Sequence, residues 1–248
     1  MDSNFRMSHL FSFSVYGSAP KYIAGAIQNA IDVHRLGSPY GCVFYCGSSV
    51  PDSVLAKLEK AGGLIRKESE TWHRNGMFWR FQAQEEFINS NVMFRDTDSR
   101  ISIRELEATR EWLDSDKELH IMRDHPFHNA KILGGMWGVK AGCSALSELI
   151  SKCKDYGVNH GQDQVFLMNE VYPIFRSRAF VHDSFFKFES HSVAFPTRRI
   201  NAEFVGESVD EIGNYDSGLR EILVSAENSR VSKLRLTFGA NLSAKFKR

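Results

Sequence analysis

The sequence predicts an α/β fold, a mainly parallel central sheet flanked by helices. Three observations lead there. Between Leu10 and Asp183, short apolar runs alternate with stretches of helical periodicity. Glycine- and serine-bearing turns punctuate the changes of period. An Asp-x-Asp pair, Asp96 and Asp98, stands just past an apolar run and just before a helix start. Open α/β sheets bind ligands at that edge.

Taken in order, Leu10 to Tyr16 alternates apolar and polar residues and predicts a strand, broken by Gly17-Ser18-Ala19-Pro20. Ile23, Ala26, Ile27, Ala30 and Ile31 predict a helix over 22–33. Gly41 to Tyr45 predicts the second strand, and Val54, Leu55 and Leu58 the second helix, closed by Gly62-Gly63. Leu64-Ile65 opens a third short strand. The stretch from Trp72 to Glu86 is aromatic and charged, and its second half predicts a helix with Phe78 and Phe81 inward. Arg74 reads as solvated, whereas Arg80, close before the Asp-x-Asp strand, is placed to reach a diphosphate or to brace Asp96.

Val92-Met93-Phe94 ends a buried strand, and Asp96 and Asp98 follow. Two carboxylates this close supply oxygen ligands for a hard divalent cation and leave positions open for phosphates. The bland alternative is an ordinary turn, since Asp, Ser and Thr favour turns and caps. Ser102 with Glu105 three residues on forms a capping box, and Ile103, Leu106 and Leu113 share one face of the helix it starts. Leu119 to Met122 predicts a strand leading into the polar loop Arg123-Asp124-His125-Pro126-Phe127-His128. Pro126 disfavours a helix that would align His125 and His128 on a metal. Ile132 to Val139 predicts a strand with three glycines, which suits close approach of a ligand or a β-bulge. Ser144 to Lys154 predicts a helix, and so does the stretch from Asp163 to Tyr172, stopped by Pro173. Asp163 there is either an N-cap or a carboxylate facing the ligand edge. A short strand ends at Phe180-Val181-His182-Asp183, and His182 is structural or a late metal ligand.

Bulk properties narrow the function classes. The 248 residues accommodate one α/β domain, with 1–195 as its body and 196–248 as an extension packed on it or partly flexible. The net charge of +1 argues against a nucleic-acid partner. No apolar run approaches a membrane span, and the start lacks a secretory layout. Cys42, Cys46, Cys143 and Cys153 fit no zinc spacing and read as reduced core residues of a cytoplasmic protein. Beyond Glu227 the charges are all basic, from Arg230 to Arg248. That tail suits a weak peripheral contact with a membrane surface or an acidic partner, or a solvated end. Neither the Gly-x-Gly-x-x-Gly fingerprint nor the GxxxxGK[ST] phosphate loop is present.

Four segments together resemble GT-A-type glycosyltransferases, in particular a group of small bacterial and viral enzymes that use nucleotide-sugar donors. They are Gly76-Met77-Phe78-Trp79-Arg80-Phe81, Arg95-Asp96-Thr97-Asp98-Ser99-Arg100, His120-Ile121-Met122-Arg123-Asp124-His125-Pro126 and Ile132-Leu133-Gly134-Gly135-Met136-Trp137-Gly138. Asp163-Gln164 looks like the Asp-Gln element of several retaining families. The resemblance runs from about Leu10 to Asp183 and implies a GT-A-like sheet and transfer of a sugar to a glycan or other hydroxyl acceptor. It implies Asp96, Thr97 and Asp98 at the nucleotide and at a bridging Mn2+ or Mg2+, with His182 completing the metal shell. Tyr16 and Gly17 would hold the base, Arg80 the diphosphate, and Gly134, Gly135 and Met136 the sugar. Asp163 and Gln164 would sit at the reacting carbon, with His125 and Trp137 on the acceptor side, and in an inverting enzyme Asp163 or Asp124 would be the base that takes the acceptor proton. The chain departs from the family's His-x-x-Gly pattern, reading His182-Asp183-Ser184-Phe185. Two alternatives are a metal-dependent phosphohydrolase of the haloacid type and a non-catalytic module that binds a nucleotide sugar or glycan. The first wants its Asp pair on the first strand and a Thr or Val where Arg100 stands.

Overall fold

The computed structural model describes residues 7–69, 76–156 and 161–229. Trp72, His73, Arg74 and the basic tail from Arg230 lie outside the described residues. The chain forms the expected α/β architecture, one seven-stranded sheet with helices on both faces. Its strands are β1 His9–Val15, β2 Tyr40–Gly47, β3 Leu64–Glu68, β4 Asn91–Arg95, β5 Leu119–Arg123, β6 Met136–Val139 and β7 Ala179–Asp183. They lie in the order β3-β2-β1-β4-β6-β5-β7. β6 runs antiparallel to β4 and β5, and the other neighbouring pairs are parallel. The carboxyl ends of β1, β4, β5 and β7 therefore share one edge.

The central strands are apolar on both faces, as a covered sheet requires. Along β1, Phe11 and Phe13 enter one core with Phe44, Met93 and Trp112, beneath helices α1 (Pro20–Leu36) and α2 (Asp52–Lys60). Leu10, Val43, Phe94 and Trp137 face the opposite core with Phe81 and Phe166. A smaller cluster of Met122, Met136, Phe195 and Val205 seats the chain beyond β7 on the sheet. Packed against that edge are residues 196–216, and helix α9 (217–229) follows them. No helix among the described residues is long and apolar enough to cross a membrane.

Several local expectations change. The glycine-bearing run from Ile132 is a turn up to Gly135, and only Met136–Val139 joins the sheet. Residues 76–86 form a broken helix: α3 Gly76–Trp79, a 3-10 turn Arg80–Gln82 and α4 Ala83–Glu86. In α5 (Ile103–Asp114) the Ser102 hydroxyl caps the Glu105 amide at 3.1 Å, but the Glu105 carboxylate turns inward to Arg95 instead of closing the box. Ile103, expected on the buried face, is 72 % exposed. Pro173 does not stop its helix. After α6 (Ser144–Ile150), α7 (Gln162–Phe166) runs through a π segment, Leu167–Val171, into α8 (Tyr172–Phe175). Pro173 closely follows the π segment, where the regular i→i−4 ladder is already interrupted.

All four cysteines are buried and free. Burial pushes the Cys42 and Cys46 thiols up to about 12, so neither is a thiolate nucleophile at neutral pH.

Buried rings make the fold acid-sensitive. Burial, with neighbouring His125, lowers His128 to about 3, and burial also depresses His120 and His182. Below about pH 6.5 the unfolded chain takes up protons on these rings that the folded chain refuses, so stability falls with pH. Asp124 and Asp183 add a lower window. Burial would raise each carboxyl, but Arg104 and Arg199 around Asp124, and backbone amides with Arg123 around Asp183, hold both below the ordinary 3.8. Their stabilisation is present above about pH 4 and lost as pH falls through the depressed values. Urea midpoints are expected to be level near pH 7–8, to fall below 6.5 and to fall further below 4. A level midpoint from pH 7 to 4.5 would contradict this placement of the histidines.

Candidate functional site

The carboxyl ends of β1 and β4 open into a cleft of about 530 Å3. Tyr16, Gly17, Arg80, Asp96, Thr97, Asp98, Gly134, Asp163 and Gln164 line it together with Ser14, Ser18, Tyr22 and Met77. Residues separated by well over a hundred positions in sequence thus converge on one space.

Arg80 organises its floor. The guanidinium is buried and donates through Nη1 to Asp96 Oδ1 and to the Arg95 carbonyl at 3.0 Å. Its Nη2 donates to Asp163 Oδ2 at 2.8 Å. Burial would lower the Arg80 pKa, but Asp96 and Asp163 outweigh it and raise it, so the bridge is charged. Its backbone is pinned as well, because the Arg80 amide donates to Ser14 Oγ at 2.9 Å and the Arg80 carbonyl accepts from Ser12 Oγ at 2.7 Å. The inward serines of β1 serve this purpose, which explains polar side chains in a buried strand.

Asp163 is not the N-cap. Gly161 takes that position with φ 84°, a left-handed conformation that glycine adopts without strain. This turn puts Asp163 in the first helical turn, facing Arg80. Its Oδ1 accepts from the Gln164 amide at 2.9 Å while Oδ2 meets the guanidinium.

Gly134 and Gly135 make room for these carboxylates. A Cβ on Gly134 would stand 2.3 Å from Asp163 Oδ2, and one on Gly135 would stand 2.0 Å from Asp96 Oδ2. The close approach anticipated in the sequence is that of the protein's own acids. Gly134 also faces the cleft.

The Asp-x-Asp loop is held from several directions. Asp98 Oδ2 accepts from Lys21 Nζ at 2.9 Å and from Ser208 Oγ at 3.1 Å, and the Asp98 carbonyl accepts from the Val209 amide at 2.7 Å. Asn29 on α1 donates to the carbonyls of Thr97 and Ser99. Lys21, Asn29 and Ser208 are contributors that sequence reasoning passed over. A polar Asn29 amid the apolar stripe of α1 was the available signal for one of them. Asp96 itself is 53 % exposed at its side chain, so one carboxylate of the pair faces the open cleft.

Tyr16 and Tyr22 form the outer wall. Tyr16 packs edge-on to Trp79, and a Cβ on Gly76 would collide with its ring at 2.5 Å. Burial pushes the Tyr16 phenol above its ordinary value, opposed by Arg80 and reinforced by Asp163 and Asp96. At neutral pH it is a hydroxyl that can donate.

Other candidates from the sequence lie elsewhere. Asp124 is fully buried, gripped by Arg104 at 2.8 and 2.9 Å and by Arg199 at 2.6 and 2.9 Å. A carboxylate enclosed by two guanidinium groups is a structural anchor, not a base open to substrate. His182 does not join Asp96 and Asp98. Its Nδ1 meets His120 at 2.8 Å and its Nε2 meets Glu111 at 2.9 Å. Among the described residues, no group of three or more His, Cys, Asp or Glu is disposed to hold a metal. His125 is buried, with Nδ1 accepting from the Phe127 amide and Nε2 at the Leu219 carbonyl. Trp137 packs under Phe81 and Phe94 in the core, and Met136 lies against Phe195 and Val205. None of these last three reaches the cleft.

Asp96 and Asp98 nevertheless suit a divalent cation that arrives with its own ligands. Each uses one oxygen on a cationic side chain, Arg80 or Lys21, and keeps the other without a hydrogen-bond partner among the described residues. Magnesium-type ions commonly take one or two carboxylates plus substrate phosphates, not a full protein cage.

No protein-family model matches the chain, and no curated protein matches it. Among solved structures it is similar to a 4-diphosphocytidyl-2C-methyl-D-erythritol synthase from Anaerococcus prevotii, at 11 % identity and TM-score 0.46 over 79 % of this chain and 94 % of that one. A cytidylyltransferase from Leptospira borgpetersenii gives 13 % and 0.45, over 77 % and 81 % of the two chains. The galactosyltransferase LgtC, solved with donor and acceptor sugar analogues, gives 15 % and 0.40, over 71 % and 73 %. Likeness at this distance carries no weight for what this chain binds, which rests on its own residues.

Proposed function

We propose that the chain is a glycosyltransferase that moves a sugar from a nucleoside-diphosphate sugar to a glycan or other hydroxyl acceptor. The observation that carries this reading is the Asp96–Arg80–Asp163 bridge on the floor of the ligand-edge cleft, cleared by Gly134 and Gly135. It fixes an exposed carboxylate of the Asp-x-Asp pair and a second carboxylate across the same cleft. A diphosphate donor needs the first and a reacting sugar the second.

In the reaction, the acceptor oxygen bonds to the anomeric carbon as the bond from that carbon to the phosphate oxygen breaks. The electron pair leaves with the nucleoside diphosphate, and the proton of the acceptor hydroxyl passes to the departing phosphate oxygen on the same face of the sugar. The transition state is oxocarbenium-like. Asp163, held by Arg80, presents negative charge toward that developing cation, with the Gln164 amide beside it on the cleft wall. Retention of configuration is the outcome suggested by the resemblance of Asp163-Gln164 to the Asp-Gln element of several retaining families. Asp96 and Asp98 are the residues that would hold Mn2+ or Mg2+, and the bound ion would neutralise charge growing on the leaving diphosphate. Tyr16, Tyr22 and Gly17 line the end of the cleft suited to the base.

The haloacid phosphohydrolase alternative fits less well. Its acid pair belongs on the first strand, and here the pair follows β4.

Asp98→Ala tests the reading. Asp98 touches a half-exposed Lys21 and Ser208, so the fold should lose only about 1 kcal/mol. Mn2+-dependent affinity for nucleoside diphosphates, measured by calorimetry, is expected to disappear. Undiminished metal-dependent affinity would contradict the assignment.

A further inference from the structure

A second cavity of about 530 Å3 opens beyond the carboxyl ends of β5 and β7, beside the chain that follows β7. Arg104, Lys187, Arg198 and Arg199 line it, against two acids, Asp183 and Glu227. Both acids are already engaged. Asp183 pairs with the buried Arg123 at 2.9 Å and accepts the amides of Phe185, Phe186 and Lys187. Glu227 accepts from Arg199 Nε at 2.7 Å. Beneath the cavity, Asp124 compensates Arg104 and Arg199. Lys187 and Arg198, both exposed, have no ion-pair partner among the described residues. The Thr197 hydroxyl in the same wall is buried and makes no hydrogen bond. An orphaned hydroxyl in the same cavity as two uncompensated cations is the complement of an oxyanion.

The position adds a functional constraint. β4 and β5 are separated by β6 alone, and β7 is the next strand outward. At about 4.8 Å per strand, the second cavity lies roughly 10–15 Å along the sheet edge from the Asp96 loop. An extended acceptor spans that distance. One stretch of chain, 197–209, reaches from the second cavity to the Asp96-Asp98 loop. Val209 binds the Asp98 carbonyl, Val205 binds Asp124 at 3.0 Å, and Thr197 accepts from Arg104, all within one segment.

We infer that this cavity, through Lys187, Arg198 and Thr197, binds an anionic group, a phosphate or a carboxylate, carried by the acceptor. The inference deepens the glycosyltransferase reading and rests on it for the word acceptor. Nothing in the lining separates phosphate from carboxylate, so both belong in the test.

The probes are glucose 6-phosphate, glucuronate and glucose, titrated into the full chain by calorimetry, with and without saturating nucleoside diphosphate and Mn2+. One or both charged sugars are expected to bind and glucose not to bind. Lys187→Asn with Arg198→Ser is expected to weaken the charged sugar at least tenfold. Both sites are exposed, and Asn tolerates the φ of 51° at position 187, so the variant should fold. Nucleoside-diphosphate affinity of that variant should be unchanged. Equal binding of glucose, undiminished binding by the double variant, or displacement of the charged sugar by nucleoside diphosphate would overturn the proposal. Absence of nucleoside-diphosphate binding in the wild type, with charged-sugar binding still dependent on Arg198, would remove the transferase reading and the acceptor role while leaving an anion pocket.

Discussion

Asp163→Asn is expected to cut turnover by about a hundredfold or more while donor affinity stays near that of the wild type. The carboxylate accepts at both oxygens, from the Gln164 amide at Oδ1 and from Arg80 Nη2 at Oδ2. An amide has one acceptor only. If its oxygen keeps Gln164, its NH2 confronts the guanidinium, donor against donor. If it turns to Arg80, the Gln164 amide loses its partner. The variant should therefore also lose stability, by about 1–3 kcal/mol, because a hydrogen bond to a charged group is lost in a buried setting. An N-cap substitution to Asn would be nearly silent on both counts. The measurements are melting temperature, donor affinity and initial rate on one preparation. Wild-type turnover at a lowered melting temperature would leave Asp163 as a partner for Arg80 and nothing more.

Arg80 should give the largest loss of stability. Removing its charge, as in Arg80→Met, leaves Asp96 and Asp163 facing each other without their shared cation. Breaking a buried pair by deleting one member costs about 3–5 kcal/mol. Arg80→Lys retains charge but not the planar fork that reaches Asp96, Asp163 and the Arg95 carbonyl together. Its turnover is expected to fall by at least about tenfold beyond any change in donor affinity, since the two carboxylates are then no longer held to one geometry. Denaturant midpoints for the Met variant and a KM-against-kcat comparison for the Lys variant check both statements. Wild-type kinetics in Arg80→Lys would show that the bridge is structural alone.

The sheet was legible because a parallel sheet covered on both faces writes itself as short apolar runs between helical stretches, and β1, β2, β4 and β7 do so. Ser102 was legible as a cap because capping is local. The function of Gly134 and Gly135 was half legible. Sequence shows that something approaches the backbone, but Asp96 and Asp163 arrive from 38 residues before and 28 residues after the pair, and only the fold reveals that these acids are what approaches. Asp124, His125 and His182 were misplaced for a related reason. A polar residue at the carboxyl edge looks the same whether it meets a ligand or ties down a neighbouring loop. Here Arg104 and Arg199 claim Asp124, while Glu111 and His120 claim His182. Trp137, placed on the acceptor side, instead packs against Phe94 in the core with ring centroids 4.2 Å apart. Lys21 and Ser208 escaped because contacts over 77 and 110 positions leave no trace in spacing.

Incubating the full chain with a panel of nucleoside-diphosphate sugars and Mn2+, and identifying what is released, distinguishes sugar transfer from phosphate hydrolysis and from binding alone. Slow release of the nucleoside diphosphate is expected from at least one donor, faster with a hydroxyl acceptor and absent in Asp163→Asn. Release of inorganic phosphate, or no release from any donor that binds, would contradict the glycosyltransferase reading.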